Sequence, residues 1–259
     1  MDNAGAFVGP LIAALLLRYW VKDERTVFLL AFVPGIAAVI LLMARVPEEG
    51  TREKTVLRDK ESASSGGRLP RSFWVATGIF VLFTFANSTD AFLLLRARQA
   101  GIALWQLPVL WAFFNGAKAV VGVPGGTLAD RIGRLRTIAI GWGIYALAYV
   151  GFALVSSPLA AWALFAFYAL FYALTEGAER ALIADVAPSQ LHGRAFGIFY
   201  AGVGLASLPA SILFGVVWKA LGPRTAFLAG AGLAALATVS LLIMRTQIGG
   251  AGSLRSGPK

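Results

Sequence analysis

The chain has 259 residues, of which 58% are hydrophobic and 14% are charged, and its formal net charge is +10. Soluble domains average about 45–50% apolar and about 25% charged residues, so this composition, with a mean hydropathy of +0.73, predicts a membrane protein. No cysteine is present and His192 is the single histidine, which argues against a disulfide framework and against a metal or histidine-based catalytic site. We therefore expect no enzymatic activity, no metal and no cofactor.

Eight apolar segments have about the length of ~20 residues that a helix needs to cross a bilayer. They are apolar on all sides and do not alternate, which excludes a transmembrane barrel. The predicted fold class is thus an all-α multi-pass membrane protein with about eight transmembrane helices. In chain order the segments are Ala4–Trp20, Thr26–Ala44, Phe73–Leu95, Leu104–Gly126, Thr137–Val155, Leu159–Ala184, Ala195–Trp218 and Thr225–Met244.

The connection from Arg45 to Arg71 is long, polar and charged, and it contains the run SASSGG, a composition typical of a flexible linker. It divides the chain into two spans (1–44), a linker (45–71), six spans (72–245) and a tail (246–259). Lysine and arginine are enriched on the side of this linker, so the positive-inside rule places the linker and both termini in the cytoplasm. We expect a bacterial plasma membrane location, with lipid headgroups rather than nucleic acid as the partner of the basic residues.

A short turn between the fourth and fifth segments has the sequence GGTLADRIGRLR, residues Gly125 to Arg136. It resembles the loop signature of the major facilitator superfamily, G-x-x-x-D-R-x-G-R, and departs from the usual pattern at Leu135. Residues Asp2 to Ala13 resemble the G-x-x-x-G-P run of the family's fifth helix. Residues Glu176 to Pro188, followed by His192 to Phe199, resemble its tenth helix entering the eleventh. The signature positions are Gly126, Asp130, Arg131, Gly133 and Arg134.

A complete member of this family has twelve helices in two halves, so the resemblance implies that these segments are helices five to twelve and that the first four are missing. It also implies transport of a small solute by alternating access. The alternative is a truncated, non-transporting membrane remnant or scaffold that needs a separate N-terminal half. By resemblance the signature turn is a cytoplasmic latch; the alternative is a plain basic loop that sets topology.

Individual roles in the turn follow from the residue types. Gly126, four residues after Gly122, offers a small face for a neighbouring helix. Asp130 is expected to accept hydrogen bonds from a helix N-terminus or to pair with an arginine. Gly133 permits a tight turn. Pro124 is expected to bend the fourth span.

Charged residues inside the spans are costly, at least ~2.5 kcal/mol near the bilayer centre, and usually face a cavity or a partner. Lys118 and Glu176 lie at levels that differ by about 3 Å, which predicts an ion pair, whereas Asp90 lies more than about 10 Å from the level of Lys118. Near the cytoplasmic edge, Arg180 is expected to pair with Asp130 or Glu179. By resemblance to the family, these residues belong to a gate.

Polar residues on shared helix faces predict a solute or proton pathway. Asn87 and Asp90 are three residues apart, and Trp111, Asn115 and Lys118 follow an i, i+4, i+7 stripe. The candidate pathway is Asn87, Asp90, Asn115, Lys118 and Glu176, with a proton as a possible coupling ion. A purely structural role, bonding between helices, remains the alternative for Asn87 and Asn115. The sequence leaves the solute and the oligomeric state open.

Overall fold

The computed structural model describes residues 2–20, 24–45 and 67–252, and within these ranges the chain forms nine α-helices. Most of the predicted linker and the end of the predicted tail lie outside the described residues. The helices are α1 (Asp2–Tyr19), α2 (Glu24–Arg45), α3 (Arg71–Ala86), α4 (Ala91–Gln99), α5 (Gln106–Ile132), α6 (Arg134–Leu154), α7 (Pro158–Val186), α8 (His192–Leu221) and α9 (Pro223–Gly252).

The described helices confirm an all-α multi-pass membrane protein. Five stretches are long and apolar enough to cross a membrane: α3 with α4, α6, α7, α8 with the preceding 3-10 turn, and α9 up to Met244. Helix α5 provides a sixth if its two bent parts form one span. The first two predicted spans correspond to shorter apolar stretches, Gly5–Tyr19 and Arg25–Leu41. Helix α9 extends to Gly252, beyond the predicted boundary at residue 245.

The third predicted span is interrupted, because α3 ends at Ala86 and α4 begins at Ala91. The residues between them are Asn87, Ser88, Thr89 and Asp90, whose short polar side chains compete with the helical hydrogen bonds of the backbone. The carbonyl of Ala86 accepts a hydrogen bond of 2.8 Å from the hydroxyl of Tyr145. A neighbouring helix thus satisfies a backbone group that the break exposes, as an interrupted span in lipid requires.

Helix α5 is bent by 44° between Gly122 and Pro124, which confirms the predicted bend at Pro124. Proline has no N–H to donate and its ring crowds the preceding turn, so the helix opens there. The part of α5 that follows the bend ends at Ile132, next to Gly133. We call the end of the bundle that carries Gly133 and the connection from α7 to α8 the Gly133 end.

The centre of the bundle is aromatic and lies between α3, α6 and α7, with α9 packed against α6 and α3. Helix α5 packs against α7, and α1 packs against α5. Fully buried rings in this core include Trp142, Tyr145, Tyr149, Phe152, Phe165 and Tyr168. Large apolar side chains such as Leu205, Leu208 and Ile212 on α8 are exposed, which fits a helix face that contacts lipid.

Arg96 on α4 binds the C-terminal end of α6, which lies opposite the Gly133 end. Its Nε donates to the carbonyl of Phe152 over 2.9 Å, and one terminal nitrogen donates to the carbonyl of Val155 over 2.8 Å. The last carbonyls of a helix have no partner within the helix. The guanidinium group therefore caps α6 and holds α4 close to the aromatic core.

Candidate functional site

Four polar side chains on α7 follow one another at intervals of four residues: Tyr168, Tyr172, Glu176 and Arg180. Residues at this spacing share one helix face, and at 1.5 Å per residue the set extends about 18 Å along the helix. We call this set the α7 stripe. It faces α5 and the break between α3 and α4, and it runs from the middle of the bundle toward the Gly133 end.

Asp90 meets the stripe at Tyr168 and Tyr172. The Tyr168 hydroxyl donates to Asp90 Oδ1 over 2.9 Å, and the Tyr172 hydroxyl donates to Asp90 Oδ2 over 3.1 Å. Each carboxylate oxygen of Asp90 therefore has a neutral donor. Because both donors are on α7, these bonds also fix the α3–α4 break against α7.

The predicted ion pair between Lys118 and Glu176 is confirmed, with 3.7 Å between Nζ and Oε2. The Lys118 ammonium also lies 4.7 Å from the centroid of the Tyr172 ring, a cation–π distance. Tyr172 thus contacts Lys118 with its ring and Asp90 with its hydroxyl. Asp90 and Lys118 therefore both contact Tyr172, and no ion pair joins the two residues directly among the residues that the structure describes.

The prediction that Arg180 pairs with Asp130 or Glu179 is wrong. Its Nη2 lies 3.0 Å from Glu176 Oε1, and neither Asp130 nor Glu179 forms an ion pair with it in the part of the chain that the structure describes. Residues 176 and 180 are one turn apart on the same face of α7, so this contact requires no movement of a second helix. Glu176 therefore has two cationic partners, Lys118 and Arg180.

A cavity of about 290 Å³ lies beside the α7 stripe, between α3, α5, α7 and α8. A second cavity, of about 370 Å³, shares Lys118, Tyr172 and Glu176 with it and reaches Arg180. Among the predicted pathway residues, Asn87, Lys118 and Glu176 line the first cavity. The complete lining is Phe80, Phe83, Thr84, Asn87, Lys118, Phe171, Tyr172, Thr175, Glu176, Glu179, Phe199, Tyr200 and Val203.

Asn115 does not line this cavity. Its amide nitrogen donates to the carbonyl of Trp111 in the same helix over 2.9 Å. Because both residues belong to α5, this bond is neither a contact with the cavity nor the bond between helices that the structural alternative predicted for Asn115.

Glu179 also lines the cavity, and its Oε1 accepts a hydrogen bond of 3.1 Å from the indole nitrogen of Trp142. Trp142 is fully buried and stacks on Phe83, with 4.2 Å between the ring centroids and 4° between the planes. Phe80 contacts the same indole edge to face. The position of the Glu179 carboxylate is therefore set by an aromatic cluster on α3 and α6.

At the signature turn, Gly133 has φ +91°, a conformation that side chains with a Cβ rarely adopt. It ends α5 and begins α6, which confirms the tight turn predicted at this residue. The close approach predicted at Gly126 is instead found at Gly125. Gly126 is exposed and has open space around it, whereas a Cβ at Gly125 would collide with the backbone of Ala173 on α7.

Arg134 connects this turn to the end of α7. Its Nη1 forms an ion pair with Asp185 and donates to the carbonyl of Ala181 over 2.7 Å. The cleft around this pair has a volume of about 640 Å³ and includes Asp130 and Arg136. Asp130 is exposed and forms no ion pair with another residue that the structure describes, so its predicted pairing with an arginine is not found here.

A double-mutant cycle on Arg134 and Asp185 should show a coupling energy of about 0.5–1 kcal/mol, because the pair is half-exposed and partly screened by water. The measurement is thermal unfolding of the purified protein in detergent for Arg134→Ala, Asp185→Ala and the double variant. Arg136→Ala, which removes the same charge from an exposed neighbour, is the control and should shift stability by less than about 0.5 kcal/mol. A coupling energy of zero would show that the pair contributes nothing.

Sequence reasoning missed Tyr168, Tyr172, Trp142 and Asp185 as members of the site. For the tyrosines a signal exists, since they continue the four-residue spacing of Glu176 and Arg180 back along α7. For Trp142 and Asp185 the sequence contains no such signal, because their partners are on other helices.

The fold and this site define a multi-pass helical membrane protein with a polar, charged interior. The sequence profile of the Major Facilitator Superfamily matches residues 1–178 and, in an overlapping match, residues 106–256. An uncharacterised MFS-type transporter of Methanocaldococcus jannaschii is 31% identical over 251 residues, 94% of this chain and 61% of the relative. The chain belongs to the major facilitator superfamily.

More distant relatives are similar over much of the same region. Uncharacterised proteins of Mycobacterium tuberculosis and Mycobacterium bovis are 27% identical over 220 residues, which is 83% of this chain and 53% of each relative. The chain thus spans between about half and three fifths of the length of these curated relatives.

Proposed function

We propose that this chain carries the solute pathway of a secondary transporter, in which a small solute crosses the membrane by alternating access. The observation that supports this most directly is the 290 Å³ cavity, which places Asn87, Lys118, Glu176 and Glu179 inside a bundle of membrane-spanning helices. Charged groups in such a position usually mark a solute or ion pathway. Membership of the superfamily and the similarity to an MFS-type transporter agree with it.

In this proposal the Gly133 end faces the cytoplasm of a bacterial cell, as the distribution of lysine and arginine indicates. The signature turn, with Gly126, Asp130, Arg131, Gly133 and Arg134, acts as a latch at that end. Arg134 positions the turn by its ion pair with Asp185. Glu179 and Arg180 lie about one turn further in along α7, where Glu179 lines the first cavity and Arg180 lines the second.

An ion gradient or the solute gradient would drive such a carrier. Asp90 and Glu176 are the candidate proton carriers, because both are carboxylates within membrane-spanning segments and both belong to the connected polar contacts along α7. The tyrosine hydroxyls on Asp90 can orient a proton on either oxygen.

Alternating access can be tested before the solute is identified, because the chain has no cysteine and single cysteines can be introduced without removing others. Asn87→Cys places a thiol on the cavity wall. We expect a membrane-impermeant maleimide to label this thiol from either face, in right-side-out and in inside-out vesicles, because the cavity opens to each side in turn.

Two control positions define the background of this experiment. Ala76→Cys is fully buried and Leu208→Cys is on the lipid-exposed face of α8, so neither should react from either side. Labelling of Asn87→Cys from one face only would contradict alternating access. That result would favour the alternative function, a non-transporting scaffold that needs a separate N-terminal half.

A further inference from the structure

The two carboxylates on the cavity wall differ in how their charges are compensated. Glu176 has a lysine at 3.7 Å and an arginine at 3.0 Å. For Glu179, no lysine or arginine of the described chain lies within ion-pair distance, and its neighbour Arg180 points to Glu176. The bonded group found for the Glu179 carboxylate is the neutral indole N–H of Trp142.

A nearby cation would stabilise a carboxylate in such a position. Removing an ion from water is costly in a membrane-embedded protein, and one neutral hydrogen bond offsets only part of that cost. A cation that enters the cavity would supply the missing charge at Glu179. Lys118, the cation already present on the wall, is engaged by Glu176 and by the ring of Tyr172.

The rest of the wall is suited to the body of such a cation. Six aromatic side chains line the cavity: Phe80, Phe83, Phe171, Tyr172, Phe199 and Tyr200. Phe80 and Phe199 meet edge to face at 5.4 Å, so their rings present differently oriented surfaces. Aromatic faces attract cations through the ring quadrupole, most strongly where water is displaced.

From this juxtaposition we propose that the cavity binds a small organic cation with an apolar or aromatic body, and that Glu179 is its counter-charge. The cavity volume of about 290 Å³ is at the lower end of the range of small-molecule sites, which favours a compact ligand. This assignment names the solute class of the carrier proposed above and rests on that function.

The test is equilibrium dialysis of the purified full chain in a neutral detergent, with radiolabelled phenyltrimethylammonium as the probe and benzenesulfonate as an anion of similar size. We expect saturable binding of the cation and none of the anion. Glu179→Gln should weaken binding of the cation at least tenfold, which corresponds to about 1.4 kcal/mol. The matched control Glu61→Gln removes the same charge from the polar connection before α3 and should leave binding unchanged.

A second variant, Phe199→Leu, keeps the carboxylate and removes one aromatic face, so it should weaken binding severalfold and covers the case in which Glu179→Gln does not fold. Absence of saturable binding to the parent chain, equal binding by Glu179→Gln, or equal affinity for benzenesulfonate would each overturn the assignment. Because dialysis requires no transport, cation binding without two-sided labelling of Asn87→Cys would refute alternating access alone. Two-sided labelling without cation binding would refute the solute class alone.

Discussion

Replacing Gly125 with valine should destabilise the folded protein by about 3 kcal/mol or more. A Cβ at this position would collide with the carbonyl oxygen of Ala173. That atom belongs to the backbone of α7 and cannot turn away as a flexible side chain can, so α5 and α7 must separate along their contact. Overpacking of this kind commonly costs 1–3 kcal/mol, and more where the backbone must move.

The adjacent glycine supplies a matched control. Gly126 has open space around it, so Gly126→Val introduces the same side chain in the same helix without a collision and should change stability by less than about 1 kcal/mol. Thermal unfolding in detergent should show a midpoint about 10 °C lower for Gly125→Val. If the valine variant yields no folded protein, Gly125→Ala should give a smaller shift in the same direction. Equal midpoints for the two valine variants would contradict the close approach of α5 and α7.

Replacing Asp90 with asparagine should abolish the response of transport to a pH gradient. If one proton moves with each solute molecule, a gradient of one pH unit supplies about 1.4 kcal/mol and can support about a tenfold concentration difference of the solute. Asparagine has nearly the same shape but does not bind and release a proton. The variant should therefore bring the solute to equal concentrations on the two sides of the membrane. The parent chain should instead build up a concentration difference of about tenfold.

The measurement uses vesicles with an imposed pH gradient and a compound that the parent chain is found to transport. Two results would contradict proton coupling through Asp90. One is transport by the parent chain that ignores the gradient. The other is an equal loss of uphill and downhill transport in Asp90→Asn together with a lower unfolding temperature. The second pattern would assign Asp90 the structural task of fixing the α3–α4 break to Tyr168 and Tyr172.

Features that depend on one helix, or on depth in the membrane, could be predicted from the sequence. The bend at Pro124 and the turn at Gly133 follow from the backbone chemistry of those two residues. The ion pair of Lys118 with Glu176 followed from depth, since charges at the same level in a membrane bundle have few other partners. The break after Ala86 was missed because the hydrophobicity of the third span hides four consecutive polar residues.

Features that depend on the rotation of one helix relative to another could not be predicted in the same way. The contact expected at Gly126 is found at Gly125, a rotation of about 100° around α5. Arg180 was expected to reach another helix or Glu179 and instead contacts Glu176 on its own face. Trp142 and Glu179 lie on different helices, and neither residue type indicates the other as its partner.

By itself, the sequence determined the class of protein, the approximate positions of its apolar helices and the set of charged residues that lie within them. These properties are local, because the hydrophobicity of about twenty residues decides whether a helix enters the bilayer. The tertiary structure alone decided that Asp90 is held by two tyrosines, that Glu176 has two cations and that Glu179 has an indole. The reason is physical: helices in lipid associate through many small packing contacts, and the sum of these contacts sets which faces meet.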